Sequence, residues 1–279
     1  MSTPQLLSRW CGSSANASLS QTGGVDSMRD PVQYARFSDE RSRPFYNLLE
    51  RVPQGDFRRI VDLGCGSGEL TRALAERWPQ ARVVGLDSSP QMLDKAWQHQ
   101  IPGRLDFRLG DVNEYAEPAD LLFSNATLQW LDDHPRLFPR LAGLLNPGGV
   151  LAVQMPFSHV QRSHELLEET VRSGPWAAKL QEWHRFRVQP LTWYVELMLG
   201  LGYEVDAWET TYYFVLQGED PVLEWVKGTS LQPILGLLDE AERKQFLTQY
   251  AAVLREAYPP AGRGTVYPFR RIFFVARRP

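Results

Sequence analysis

Arg59-Ile60-Val61-Asp62-Leu63-Gly64-Cys65-Gly66-Ser67-Gly68-Glu69-Leu70 is the stretch on which the reading of this chain turns. Ile60, Val61 and Leu63 make a β-prone apolar run, and three alternate glycines follow it. Beyond them Leu70, Leu74 and Trp78 recur at helical spacing, with Arg72, Glu76 and Arg77 turned the other way. The pattern predicts strand, tight turn and helix, the turn being stripped of Cβ atoms so that a ligand can reach the backbone. Such turns bind nucleotides, because their N–H groups and the helix N-terminus face the ligand.

Two features choose among nucleotides. The glycines are spaced G-x-G-x-G, not as the dinucleotide fingerprint G-x-G-x-x-G, and Asp62 stands two residues before the first of them. A carboxylate there repels phosphate and suits a ligand carrying an ammonium and a sulfonium. Arg82-Val-Val-Gly-Leu-Asp87 reads as a second strand, its acid 19 residues past Gly68 (87 − 68). That is near the ~20-residue offset at which a carboxylate bonds a ribose diol. Ser88, Ser89 and Pro90 then form a helix start, a capping hydroxyl followed by proline. Leu105–Val112 reads as a third strand ending in Asp111, which can accept from an adenine amino group while Val112 lies beside the ring. Each acid alone also reads as a cap or a solvated turn. Three at the ends of three successive strands mark the edge where open α/β sheets bind ligands.

Asp62-Leu-Gly-Cys-Gly-Ser-Gly68, Asp87 and Asp111-Val112 resemble the signature of class I S-adenosylmethionine-dependent methyltransferases. Arg41-Ser-Arg-Pro44, Asn125–Leu131, Leu145–Pro156 and Thr210–Tyr213 resemble one branch of that family, the enzymes that esterify a carboxylate of trans-aconitate. The likeness spans roughly residues 32–279. It implies S-adenosylmethionine as cofactor, held by Asp62, Gly64, Cys65, Gly66, Gly68, Asp87, Ser88, Asp111, Val112 and Asn125. It implies an α/β fold: a Rossmann-like, seven-stranded, mostly parallel sheet with helices on both faces, an antiparallel last strand and a helical insertion forming the acceptor pocket.

The remainder of the chain is consistent with a globular enzyme. Of 279 residues, 43% are hydrophobic and 23% charged, and the net charge of −3 offers no basic field to nucleic acid. No apolar run approaches the ~18–20 residues of a membrane span. The two cysteines, Cys11 and Cys65, suggest neither a disulfide framework nor a metal site, so a reducing cytoplasm is the simplest compartment. Residues 1–30 read as a polar tail, with Met28 as an alternative start, before a domain over 31–279. In residues 31–57 a helix near Asp39–Arg51 carries Arg41 and Arg43 and either packs on the domain or, as the resemblance implies, covers the site as a lid.

Strands are expected near 58–63, 82–86, 105–109, 120–125 and 149–155, alternating with helices near 69–78, 90–99 and 134–145. Helices near 162–173, 176–183 and 191–201, a strand over 203–216, a helical stretch over 219–258 and a closing strand over 268–278 complete the chain. Segments 157–202 and 217–260 are the expected cap, and the last two strands pair antiparallel at one sheet edge. His134, before Pro135, reads as a helix cap.

An acceptor carboxylate is already ionised at pH 7, since its reference pKa is about 4, so no general base and no metal are expected. Catalysis then rests on alignment and water exclusion, which can supply ~7–11 kcal/mol. The pocket for a small-molecule carboxylic acid needs cations and hydrogen-bond donors, arginine above all. Candidates are Tyr34, Arg41, Arg43, Gln129, Trp130, His159, Tyr212, Tyr213 and Arg270, with Arg185, Arg271 and Lys227 as further cations. Gln232 stands where related sequences carry arginine, which weakens a tri-anion site. It leaves open an acceptor with fewer carboxylates, a malonyl thioester or a natural-product acid or carbon. A non-catalytic S-adenosylmethionine sensor is the alternative of another class. The expected assembly is a monomer or weak homodimer.

Overall fold

Short runs of branched and aromatic residues, buried on both faces, build the parallel part of the sheet. The computed structural model describes residues 38–183, 188–228 and 230–279, without the side chains of residues 38–41 and 159. Strands β1 (Arg59–Leu63), β2 (Arg82–Asp87), β3 (Leu105–Leu109), β4 (Ala119–Asn125) and β5 (Leu145–Pro156) pair in parallel in the order β3-β2-β1-β4-β5. Strand β8 (Gly264–Arg277) lies antiparallel between β5 and the edge strand β6 (Glu204–Leu216). The expected seven strands are therefore present, with one addition. A two-residue strand, β7 (Pro260–Ala261), pairs with the start of β8 through the loop Gly262-Arg263, where Gly262 takes φ +65°. A left-handed residue in so short a loop matches the twist of the two strands.

Helices α1 (Ser38–Arg51), α2 (Glu69–Arg77), α3 (Pro90–Ala96), α4 (His134–Gly143), α5 (Arg162–Ser173), α6 (Leu191–Gly200), α7 (Pro221–Lys227), α8 (Gln232–Leu237) and α9 (Glu240–Ala257) surround the sheet. Side-chain alternation divides the core in two. Ile60, Phe123, Ala152, Phe269 and Phe273 point to the face covered by Phe45 and Leu48 of α1 and Leu74 of α2. Val61, Leu122, Val153, Ile272 and Phe274 point to the other, where Phe138 of α4 and Tyr194 and Met198 of α6 pack. The Phe45 ring meets the Phe123 ring at 5.0 Å, which seats α1 over the middle of the sheet.

Three expectations are corrected. The helix expected at 176–183 is a series of turns closed by three-residue hydrogen bonds, such as Lys179 N to Trp176 O at 2.9 Å. Gly174 and Pro175 interrupt the helical pattern there. The Trp176 indole turns inward instead, donating to Thr170 O at 2.9 Å and packing on Phe246. Strand β3 ends at Leu109, so Asp111 lies in the following turn. His134 caps nothing: the N-cap position of α4 belongs to Asp133, at φ +55°. The imidazole is buried, with Nε2 2.9 Å from Leu128 O and Nδ1 2.6 Å from the Tyr194 hydroxyl. A carbonyl only accepts, so Nε2 carries the proton, and burial holds the ring's pKa below its ordinary value.

Asp120 ties three segments at the opposite edge of the sheet from the glycine turn. Its Oδ2 accepts from the N–H groups of Arg58 and Arg59, each at 2.8 Å, and its Oδ1 accepts from Asn146 Nδ2 at 2.7 Å. Asn146 begins the Asn-Pro-Gly-Gly bulge that shifts the register of β5 against β4. Burial by itself would raise the carboxyl's pKa, but these donors bring it below the usual range. A lowered folded-state pKa means stability that is complete above the unfolded value, about 4, and lost as pH falls below it through the lower folded value. Asp120→Ala should therefore cost roughly 1–3 kcal/mol at pH 7, with the gap to wild type narrowing below pH 4 in urea titrations. An equal gap at both pH values would refute the ionic account.

Candidate functional site at the carboxyl edge of the sheet

The three glycines of the β1–α2 turn all have positive φ, yet they do different work. A Cβ on Gly64 would overlap the side chain of Thr127, and one on Gly68 would fall 2.7 Å from the Phe107 ring. Those two are small because the protein itself fills the space. A Cβ on Gly66 would meet nothing within 4 Å. Its space is open, as a turn that admits a ligand requires.

The turn is held by β2. Leu86 O accepts from Gly64 N at 2.7 Å and from Cys65 N at 3.0 Å. Asp87, at the end of β2, accepts from Gly66 N at 2.8 Å through Oδ2 and from Ser89 N at 3.0 Å through Oδ1. A carboxylate has about four lone-pair positions, so capacity remains on Asp87 for further donors. Ser89 is the helix cap, accepting from Met92 N at 3.2 Å, while Ser88 is exposed.

Asp62 is buried beneath the turn, where Thr71 of α2 donates to its Oδ2 at 2.7 Å. Burial, only partly offset by that hydrogen bond and reinforced by the negative charge of Asp87, pushes its pKa up to about 7. Burial and the same two carboxylates push the Cys65 thiol up as well, so it remains an unreactive thiol. The site is thus a pair of buried acids with no cation among the groups that set the charge of Asp62.

On the same face the polar row continues across the sheet. Strand pairing sets Asn125 of β4 beside Gln154 of β5, and Gln154 Oε1 accepts from Arg271 of β8 at 3.0 Å. Gln154 and Arg271 are both buried. On β6 the buried Tyr212 donates to Asn47 of α1 at 2.6 Å, and the Arg43 guanidinium lies 5.6 Å over the Tyr212 ring. Asn125 Oδ1, Gln129 Oε1, Trp130 Nε1 and Gln154 Nε2 are buried without a hydrogen-bond partner among the described residues. Buried polar atoms are nearly always paired, and these four belong to β4, β5 and the short helix after β4, at the carboxyl edge of the sheet.

The structure therefore gathers Asp62, Gly64, Cys65, Gly66, Gly68, Asp87, Asn125, Gln129 and Trp130 along one edge. Val112 is buried near it, and Asp111 lies exposed in the turn, accepting from Asn113 N at 2.8 Å. Tyr213 and Arg270 are not brought in, because each is one strand residue away from a neighbour that is. Tyr213 is exposed, and Arg270 pairs with Glu209 and stacks 5.0 Å over Phe157 on the other face. Lys227 is paired with Glu224 at 2.5 Å, and Gln232 donates to Lys227 O at 3.1 Å. Tyr34 and Arg185 lie outside the described residues, as do the side chains of Arg41 and His159. Thr71, Thr127, Gln154 and Asn47 escaped the sequence reading. Thr71 carried a local signal, on the inward side of α2; the others are polar residues with no pattern around them.

The family model described as "Methyltransferase domain" matches residues 60–149. A trans-aconitate 2-methyltransferase of Streptomyces avermitilis is 49% identical over 259 residues, 89% of this chain and 96% of its own length. That of Streptomyces coelicolor is 47% identical over 90% of this chain and 86% of its own, and that of Azoarcus sp. 45% identical over 89% and 98%. Among solved structures, the YcgJ protein of Bacillus subtilis superposes with a TM-score of 0.56 at 14% identity, covering 85% of this chain and 98% of its own. Phosphoethanolamine N-methyltransferase 2 of Haemonchus contortus, in complex with S-adenosylhomocysteine, gives 0.53 at 21% identity, over 85% and 52%. At those identities the likeness carries the fold.

The division of labour among the glycines is directly measurable. Gly66→Ala should lose only about 1 kcal/mol, the strain of a left-handed alanine. Gly64→Ala carries the same strain plus the overlap with Thr127, and should be destabilised by several kcal/mol in chemical denaturation. Equal losses would mean that Thr127 does not pack against the turn.

Proposed function

This chain belongs to the trans-aconitate 2-methyltransferase family, and from that membership we propose that it transfers a methyl group from S-adenosylmethionine to one carboxylate of trans-aconitate. The 49% identity over 89% of the chain carries the reading. The geometry supports it, because the open space at Gly66 lies among the groups that an ammonium, a sulfonium and a ribose would need.

Asp62 is the counter-charge for the cationic amino-acid portion, and a buried acid with no paired cation suits that role. Asp87 holds the turn through one lone pair on each oxygen and keeps the others for the ribose diol. Asp111, Val112 and Ser88 are proposed for the adenosine side, and Asn125, with its unpaired buried oxygen, for the boundary between donor and acceptor. When bound, S-adenosylmethionine supplies an electrophilic methyl carbon on a sulfonium. The protein's part is to hold the carboxylate oxygen in line with it and to keep water out. No side chain needs to take a proton, because the acceptor is an anion at pH 7. Helix α1, pinned by Phe45 on Phe123 and by Asn47 on Tyr212, covers the row and serves as the lid. Helices α5 and α9, packed in the same core layer as Tyr212 and Phe269, wall the acceptor side, whereas α6, in the segment expected to form the cap, packs on the opposite face.

Labelled S-adenosylmethionine offered with trans-aconitate, cis-aconitate, isocitrate and citrate should yield a base-labile monomethyl ester, chiefly of trans-aconitate. Gly66→Val should fold and lose cofactor binding, since its branched side chain would fill the open space. Transfer to a thioester, or cofactor binding with no transfer to any of the acids, would overturn the acceptor assignment.

The Asp62 environment adds a pH signature. With its folded pKa raised to about 7, the ligand-free protein keeps a proton there that the unfolded chain has lost above pH 4. Its contribution to stability accordingly falls as pH rises from about 4 to 7. Binding a cation requires the carboxylate, so the proton must leave. Cofactor affinity should strengthen by up to about tenfold per pH unit below 7 and level off there, with proton release visible in calorimetry across buffers. Asp62→Asn should bind weakly and without this slope. A flat profile in wild type would assign the ammonium to another group.

A further inference from the structure

Resting on the adenosine-side assignment proposed above, we infer that Arg140 of α4 makes the site specific for adenine, by holding still the turn from which Asp111 and Val112 meet the base. The turn leaves the sheet beside the ribose acid, because Gly110 N donates to Asp87 O at 3.0 Å as β3 ends. Residues 111–115 then make a single helical turn, in which Asp111 O accepts from Glu114 N at 3.0 Å and from Tyr115 N at 3.2 Å. No helix continues it, so its closing carbonyls are left for a donor from elsewhere. Arg140 is that donor. Its Nη2 donates to Val112 O at 2.6 Å and its Nη1 to Tyr115 O at 2.5 Å. Bonds from a charged donor are roughly twice as strong as neutral ones, and two from one planar group fix orientation as well as distance.

Packing makes the clamp rigid. Val112 and Tyr115 are buried in the same core layer as Leu137 and Leu141 of α4, so the helix that carries the arginine is itself fixed against the turn. The charge of Asp111 acts on Arg140 too, opposing the lowering of its pKa by burial. The consequence for recognition follows from the base. Adenine presents an amino donor where hypoxanthine presents an oxygen, with an N–H on the adjacent ring atom. Asp111 Oδ1 accepts from Asn113 N at 2.8 Å, and the carboxylate keeps lone pairs for a donor on the base. Held in place, it accepts from the amino group and repels the oxygen. On a loose turn it would slide to the adjacent N–H, and the distinction would fade. Arg140 is on this account a positioning residue that acts through Asp111 and Val112.

The test is calorimetric binding of S-adenosylhomocysteine and of S-inosylhomocysteine, in which the amino group is replaced by oxygen. Wild type should prefer the adenosyl compound by about tenfold or more, the worth of one hydrogen bond to a charged group. Arg140→Met keeps the length, loses both donors and should bring the preference to within about twofold. Arg140→Lys, charged but without the fork, should recover part of it. Arg136→Met, at an exposed position of α4, should leave it at the wild-type value. Asp111→Ala should erase the preference, and adding Arg140→Met should then change it no further. A lowered melting temperature with the preference intact in Arg140→Met would make the bonds structural only and overturn the inference, leaving the cofactor reading in place. Should that variant not fold, an undiminished preference in Arg140→Lys would overturn it equally. A preference that survives Asp111→Ala, or is missing from wild type, would overturn the adenosine-side assignment and the inference with it. Wild type that binds neither compound would overturn the cofactor reading as well.

Discussion

A strand residue can face only one side of its sheet, and the site depends on that constraint. Ile60, Phe123, Ala152 and Phe273 are apolar on the α1 face, so the residues two further toward the site on β1, β4 and β5, namely Asp62, Asn125 and Gln154, share that face, as does Arg271 two residues before Phe273. Each replaces a core side chain by a polar one at the point where the strand leaves the apolar layer. Parallel pairing of β2, β1, β4 and β5 brings their carboxyl ends flush, and antiparallel β8 presents an interior residue at the same level. The row is the edge of the core, continued in polar groups.

Burying that row has an energetic cost that the fold meets in different ways at its two ends. At the acidic end, backbone N–H groups of Gly66 and Ser89 and the Thr71 hydroxyl satisfy the carboxylates, while the raised pKa of Asp62 lets it hold a proton instead of a charge. At the basic end, an amide oxygen accepts from Arg271, and the Phe269 ring lies 4.9 Å beneath its guanidinium. Neither end is closed by an ion pair with the other.

The sequence showed the acidic end clearly and the basic end poorly. Asp62, the glycines and Asp87 lie within 26 residues (87 − 62 + 1), and their turn is built from local backbone constraints, so spacing alone exposed them. The basic end is assembled from residues far apart: Gln154 and Arg271 are separated by 117 positions, and Tyr212 and Asn47 by 165. Nothing local distinguishes Arg271 from Arg270, or Tyr212 from Tyr213. A one-residue difference reverses the face, and the register against β5 and β6 decides it. The helix expected at 176–183 fails for a related reason, since burial of the Trp176 ring overrides local periodicity.

By itself, then, the sequence determined the parallel strands, the order of turn and helix after β1 and the acidic charge around the glycine turn. Those follow from φ preferences, side-chain period and residues a few positions apart. The tertiary structure alone decided which arginine and which tyrosine face the site, that Gln154 joins them, and that His134 is a buried neutral strut. Those depend on which strand lies beside which, and the order β3-β2-β1-β4-β5-β8-β6 is set by packing over the whole chain.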